Sequence, residues 1–421
     1  HLYLYDLTTG QLKHCITGGE ESAHNGEWLV RNVLHFDSAS RELLIQTAGR
    51  DNTISPYYRD ICKVNIDTGE LTELMSGNFE HVVYQRDNIT CARYALVGLG
   101  YLGAHATSSD GKYLVTTRSR VDTVPESLLI DRDGREILLL EAADTSGLPD
   151  DWAWPEPIKT VAADGKTDIY GVIYRPFDFS EDRSYPVIDF SGGFRYYSNV
   201  AVGSFINSTV FDCPYLVGSA LAQLGFIVVS MEGRGTPCRN KAFSEHLYGE
   251  PSATSDFNDR IAGLKQLAKQ YNYMDLTRVG INGLDGSPAT VFGLLDHPDF
   301  YKVGAVQTFE DPRMGICEVS ETYEGVPIYG ETSKARHAED CVHSLQGKLL
   351  LIDGMLNPTI GVFRLVHALE KANKDFDMLC LTTGIHDIPS YAVKREWNYF
   401  VEHLLGQKPP GDFSMAFSYE N

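Results

Sequence analysis

Near residue 151 the rhythm of apolar residues changes, and this change constrains the fold of the 421-residue chain more than any other feature. Before it, short β-rich runs alternate with turn signals. Leu2-Tyr3-Leu4-Tyr5 precedes Asp6-Leu7-Thr8-Thr9-Gly10, Ile61 to Asn65 precedes Ile66-Asp67-Thr68-Gly69, and Leu128-Leu129-Ile130 precedes Asp131-Arg132-Asp133-Gly134. Ser108-Ser109-Asp110-Gly111-Lys112 leads into another apolar strand. Such alternation predicts antiparallel strands joined by tight turns. After the proline-bearing segment Asp150 to Pro157, apolar runs alternate with helix-length stretches. The runs are Ile169 to Tyr174, Pro186 to Phe190, Phe226 to Ser230, Val279 to Asn282, Val303 to Val306, Lys348 to Ile352 and Met378 to Leu381. Ser255 to Gln270 and Gly361 to Asn373 read as helices, the second with Phe363, Leu365, Val366 and Leu369 as core residues. Continuous apolar strands separated by helices predict a mostly parallel sheet covered on both faces. The chain therefore divides into residues 1–150 and 151–421.

Strand, D-x-x-T-G-like turn, strand is the writing of propeller blades. A blade takes ~40–50 residues, so the first part holds about three. A propeller closes with about four or more. The expectation is a partial β-propeller, either standing open or completed by a removed N-terminal part or a partner chain. A second polypeptide, or a homodimer formed through the exposed blade edge, is the expected partner.

Apolar residues make up 43% of the chain and charged residues 22%, as in ordinary globular proteins. The formal charge of −21 argues against nucleic acid and against an anionic membrane surface, both of which need a basic face. No apolar run approaches the ~18 residues that a membrane span requires. No signal peptide opens the chain, which starts inside a strand-like segment and reads equally as a mature or cut product. A soluble protein is expected, periplasmic, secreted or cytoplasmic. Cys15, Cys62, Cys91, Cys213, Cys238, Cys317, Cys341 and Cys380 are scattered without a C-x-x-C pair, which points to buried strand thiols rather than a zinc site. No histidine–carboxylate cluster has metal-ligand spacing and no phosphate loop is present, so neither metal nor cofactor is expected.

The most informative local motif is Gly283-Leu284-Asp285-Gly286-Ser287. A short strand, Arg278 to Asn282, precedes it, and helix-like residues from Pro288 follow. Strand, tight turn and helix are the context in which G-x-S-x-G presents a nucleophilic serine, but the tip here is aspartate. Ser287 reads as a helix cap, and Pro288 suits a first helical turn.

Several further motifs resemble, in order, the prolyl oligopeptidase family, most closely its bacterial dipeptidyl-peptidase-IV-like branch. Ala162 to Gly171 resembles the family's domain entry, and Tyr185-Pro186-Val187-Ile188-Asp189 the strand before its oxyanion loop. Glu232-Gly233-Arg234-Gly235-Thr236 resembles its D-G-R-G-T loop, followed by Lys241-Ala242-Phe243. Asp275 to Ile281 leads into the elbow, and Lys371 to Asp377 into the strand before the catalytic histidine. The resemblance spans nearly the whole chain. It implies an α/β-hydrolase domain, with a mostly parallel doubly wound sheet, preceded by a β-propeller, and a Ser-Asp-His triad that cleaves short peptides, often after proline.

Carried over residue by residue, the triad fails. Asp285 stands at the serine position, Asn357 at the acid position and Asp353-Gly354 at the preceding histidine-glycine; only His386 survives. The oxyanion tyrosine falls at Ser191 or Gly192. Arg195, Tyr196 and Tyr197 are the expected ligand contacts, with Leu284 and Gly286 on the elbow. Glu232, Arg234 and Arg239 read as structural ion pairs, and His343, His367 and His403 as partly exposed helix residues.

The chemistry follows. A serine nucleophile needs a base, and that base an orienting acid. Asp285 offers no proton to remove and as a carboxylate would hold His386 protonated. Loss of the acid alone costs on the order of 10⁴ in turnover in serine proteases. The expected function is a catalytically degenerate dipeptidyl-peptidase-like protein that binds a peptide or small molecule in the old pocket. The alternative is an enzyme of other chemistry (isomerisation, elimination, cyclisation or hydrolysis) with Asp285 and His386 as nucleophile or acid–base pair. A deliberate serine replacement would leave Asn357 and Asp353 unexplained.

Overall fold

The turns that punctuate the N-terminal strands close on an Asx side chain and a left-handed glycine. Asp6 Oδ1 accepts from Thr8 N and Thr9 N, each at 3.0 Å, and Gly10 follows at φ 70°. Asn65 Oδ1 accepts from Asp67 N at 2.9 Å before Gly69 at φ 73°, and Asp131 Oδ1 from Asp133 N at 3.0 Å before Gly134 at φ 83°. The side chain mimics a backbone turn, and glycine takes the positive φ without a Cβ penalty.

The structure, a computed structural model, describes residues 1–18, 28–83, 106–191, 198, 200–205, 214–248, 256–283, 288–309, 337–356, 360–382 and 390–411. They form two compact units. The first comprises His1–Asp150 together with Val202–Thr209 and Cys238–Lys241, and the second the remainder.

In the first unit β1 (Tyr3–Tyr5) and β2 (Leu12–Cys15) make an antiparallel ribbon. Strands β3 (Leu29–Asp37), β4 (Glu42–Ala48), β5 (Arg59–Asn65) and β6 (Leu71–Met75) make a four-stranded meander, and β7 (Glu80–Val82), β8 (Tyr113–Ser119), β9 (Glu126–Asp131) and β10 (Glu136–Ala142) a second. These are propeller-like blades. The expected count of about three is, among the described residues, two four-stranded sheets and one two-stranded ribbon. Leu34, Ile61 and Met75 of one sheet pack with Leu114, Leu128 and Ile130 of the other, and Ile16 and Leu4 pack with Ile45 and Val64. Strand β10 stays exposed along its whole length.

In the second unit all seven anticipated runs are strands of one eight-stranded sheet. The strands are β11 (Glu156–Val161), β12 (Asp168–Tyr174), β13 (Tyr185–Ser191), β14 (Ile227–Met231), β15 (Met274–Gly283), β16 (Tyr301–Gln307), β17 (Lys348–Gly354) and β18 (Asp377–Leu381). Their order is β11-β12-β14-β13-β15-β16-β17-β18. Strands β11 and β12 pair antiparallel, as do β12 and β14; every later pairing is parallel. The longer helices are α1 (Pro214–Ala222), α2 (Phe257–Gln270), α3 (Pro288–Asp296), α4 (Ile360–Lys371) and α5 (Ser390–Phe400). Helix α2 opens on Asp256, whose side chain accepts from Asn258 N. Its Ile261, Leu264 and Leu267 join Val187, Ile281 and Phe292 in the main core.

Two expectations are corrected. Phe363 is exposed, because the buried stripe of α4 runs through Val362, Leu365 and Leu369, one position away. Of the five cysteines described, all free thiols, only Cys62 is fully buried; Cys15 and Cys380 lie on β2 and β18, at the margins of their sheets.

Candidate functional site

Strands β13, β15, β16, β17 and β18 end together. Ser191 is in register with Gly283, Gly283 with Val306, Gln307 with Ile352, and Gly354 with Leu381. In a parallel α/β sheet this carboxyl edge is where ligands bind. From it the chain passes into the segments that hold the sequence-derived site residues. Segment 192–197 follows β13, 284–287 follows β15, 357–359 lies after β17, and 383–389 lies after β18.

Gly192, Arg195, Tyr196, Tyr197, Leu284, Asp285, Gly286, Asn357 and His386 lie outside the described residues, as does the side chain of Ser191. The framework around them is described. Only four residues separate the end of β15 at Gly283 from the start of α3 at Pro288. Pro288 opens the helix, where its missing N–H costs nothing. Asp353 is buried at the end of β17, and its Oδ1 accepts from Gly354 N at 2.9 Å. Met355, Leu356 and Ile360, beside segment 357–359, are exposed apolar side chains.

Below the edge sit two buried polar networks that the sequence reading missed. Asp189 of β13 is ion-paired with Arg260 of α2, both fully buried. Arg260 Nη1 also donates to Met231 O at 2.8 Å, and Tyr301 Oη donates to Asp189 Oδ2 at 2.6 Å. Burial disfavours the Arg260 charge, but the facing Asp189 outweighs it and holds the guanidinium above its ordinary value. Burial and the same carboxylate push the Tyr301 phenol well up.

The second network lies nearer the elbow. Glu396 of α5 is buried, and its Oε1 accepts from Asn282 Nδ2, one residue before the end of β15. Its Oε2 accepts from Gln307 Nε2, the last residue of β16, at 2.5 Å. Burial pushes this carboxyl up to about 7, against the two hydrogen bonds. A sequence signal existed: Asn282 follows the apolar stretch Val279-Gly280-Ile281 inside the buried end of β15, and Glu396 falls on the buried stripe Ala392, Glu396, Tyr399, Phe400.

In the D-G-R-G-T-like loop Arg234 makes the expected ion pairs. Arg234 Nε and Nη2 bond the two oxygens of buried Asp259, each at 2.8 Å, and Arg234 also pairs with Asp164 at 3.2 Å. Glu232 Oε1 accepts from Tyr170 N at 2.9 Å, extending the β12–β14 pairing. His343 and His367 are exposed and His403 is half-buried. Among the described residues no helix is long and apolar enough to cross a membrane, and no group of three His, Cys, Asp or Glu side chains forms a metal site.

This framework has relatives. Residues 216–407 match the prolyl oligopeptidase family. Dipeptidyl peptidase 8 of mouse and of human are each 28% identical over 277 residues, 62% of this chain and 29% of theirs. Dipeptidyl peptidase 4 of Porphyromonas gingivalis superposes with a TM-score of 0.73 at 22% identity, over 96% of this chain and 53% of that one. A dipeptidyl aminopeptidase IV structure from Bacteroides ovatus gives 0.71 at 20%, over 94% and 52%. The chain thus spans under a third of the curated relatives and about half of the solved ones. With its propeller-like sheets and its mostly parallel eight-stranded sheet, the chain shares the fold of these dipeptidyl peptidase structures, and residues 216–407 of its second unit match the prolyl oligopeptidase family.

Proposed function

We propose that this dipeptidyl-peptidase-like chain has lost serine peptidase chemistry and binds a peptide or a small molecule at the carboxyl edge of its sheet. One observation carries the reading: of the four residues that separate the end of β15 from the start of α3, where the family's nucleophile falls in sequence, the second is aspartate. A carboxylate gives a base no proton to remove, and beside His386 it would stabilise an imidazolium that is no longer a base. Asn357 in place of the family acid adds no negative charge behind the histidine. Exposed Met355, Leu356 and Ile360 supply apolar surface at the same edge, and Arg195, Tyr196 and Tyr197 supply polar and aromatic groups in sequence, the mixture that ligand pockets use. The test treats the purified full chain with a fluorophosphonate serine probe and with chromogenic dipeptide substrates. Neither labelling nor turnover is expected; labelling at any serine of this unit overturns the proposal.

A second reading draws on Asp353, an acid buried at the end of β17 and in register with Cys380 of β18, two strands whose ends precede segments 357–359 and 383–389. Asp353 would orient His386, and Asp285 would serve as nucleophile or acid–base partner in isomerisation, elimination, cyclisation or hydrolysis. Small-molecule turnover that disappears in Asp285→Asn would establish it. A His386 that stays protonated well above neutral pH would exclude it.

The propeller-like unit implies a partner. Ile137, Leu138, Leu139 and Leu140 on edge strand β10 are each about half exposed. A bare apolar edge of this kind is a template for pairing. A second polypeptide or a second copy of this chain would cover it.

A further inference from the structure

Asn282 and Gln307 hold the buried carboxyl of Glu396, which pairs with no cation among the described residues. Each amide turns its NH₂ toward the carboxyl, and each leaves its own oxygen, Asn282 Oδ1 and Gln307 Oε1, buried with no hydrogen-bond partner among the described residues. Around Glu396, β15 carries Asp275 and Arg278, β16 Tyr301 and Lys302, and β17 Lys348 and Asp353. Helix α5 carries Tyr391, Lys394, Arg395 and Tyr399, and the turn that continues it carries Glu402 and His403. Among the described residues none of these bonds Glu396, whose oxygens meet only the two amides. A buried charge without a counter-ion is costly, and the ordinary remedy is to take up a proton. A protonated carboxyl must donate, so it needs an acceptor that the present orientation does not offer. Two stranded amide oxygens lie one half-turn of a side-chain amide away, a rotation that moves almost no volume because the oxygen and NH₂ ends have nearly the same shape.

We propose that Glu396 is a buried proton-binding switch. When its carboxyl takes up one proton from solvent, one of the two amides turns over and its stranded oxygen accepts the new O–H. Helix α5 then changes from an ionic to a neutral hold on the carboxyl ends of β15 and β16. Burial raises this carboxyl to about 7, so both states are populated near neutrality. The location gives the switch a consequence. Asn282 stands immediately before Gly283 at the carboxyl end of β15, Gln307 ends β16, and Glu396 lies on α5. One proton therefore sets how the carboxyl ends of β15 and β16 are held, whether the proposed site binds or reacts.

The test uses the full chain, labelled for NMR, between pH 5 and 9. The Glu396 carboxyl carbon is expected to titrate near neutrality, with the side-chain amide resonances of Asn282 and Gln307 moving at the same midpoint. Backbone amides of 280–283 and of α5 should change hydrogen-exchange protection across it. Glu396→Gln, which carries one donor and one acceptor in place, should abolish all three pH effects. If that variant fails to fold, the wild-type amide resonances still decide. A Glu396 ionised throughout the range, or amides that do not follow it, overturns the switch.

Discussion

Asp189 on β13 and Arg260 on α2 face each other with no solvent access to either, and Tyr301 from β16 donates to the same carboxylate. Three elements are tied to one point directly below Ser191. Removing one partner of such a pair strands a buried charge. Asp189→Ala is expected to lose about 3–5 kcal/mol of unfolding free energy. Urea unfolding measures it, and a loss below about 1 kcal/mol would mean that water reaches Arg260.

Glu396 gives a different pH signature from the usual carboxylate. Its value rises from 4.5 to about 7 on folding. Below the unfolded value both states hold the proton and its contribution to stability is complete. As the pH rises toward the folded value, the unfolded state gives up its proton first and stability falls. The difference of about 2.5 units corresponds to roughly 3 kcal/mol lost between pH 4.5 and 7, and a flat response above. Asp60, buried on β5 and also raised to about 7, acts in the same direction, so the term must be read as a difference between variants. Glu396→Gln should unfold with a weaker pH dependence in this window and exceed the wild type at pH 8. Parallel wild-type and variant curves would refute it.

How much of this was legible depends on what each residue type reports. The seven apolar runs become strands because a sheet covered on both faces leaves no polar alternation to hide them. Strand β11 escapes such a search: Glu156-Pro157-Ile158-Lys159-Thr160-Val161 alternates, with only Ile158 and Thr160 buried. The strand and the helix on either side of segment 284–287 were legible because an apolar run ends at Gly283 and a helix-opening proline stands at 288. The carboxyl of Glu396 was not, since a lone glutamate in a helix of mixed polarity reads as a solvated face until the strand ends beside it are known. Phe363 misled for a related reason: a helical stripe shifted by one residue buries Val362 instead.

Gly171 is required by close approach. A Cβ there would lie 2.6 Å from Ser230 O and 2.9 Å from Met231 Cα, both backbone of the adjacent antiparallel strand. Gly171→Ala should therefore cost about 1–3 kcal/mol by forcing β12 and β14 apart. A thermal unfolding midpoint unchanged from wild type would contradict it.

Strand β10 predicts association without stability. Leu138 pairs with Leu129 across the ladder, yet Leu138 and Leu140 are about half exposed and contribute little to folding. The double variant Leu138→Lys, Leu140→Lys should unfold within about 0.5 kcal/mol of the wild type. Sedimentation should show the wild type self-associating, or binding a second polypeptide, and the variant alone as a monomer. An unmodified chain that stays monomeric and takes up no partner removes the case for a covered edge.

The elbow prediction separates the nucleophile from the acid. Asp285→Ser puts a hydroxyl at the family's nucleophile position but leaves asparagine, Asn357, at the family's acid position. An imidazole without its acid is oriented poorly and its charged form is not stabilised, a loss on the order of 10⁴ in turnover. The single variant should stay near background on a chromogenic dipeptide substrate. Adding Asn357→Asp should raise its rate on the order of 10²-fold or more, because the two changes act through one proton path and are not additive. If Asp285→Ser alone turns over substrate as fast as the double variant, another carboxylate already serves His386, with Asp353, buried at the end of β17, the first to examine by substitution with asparagine.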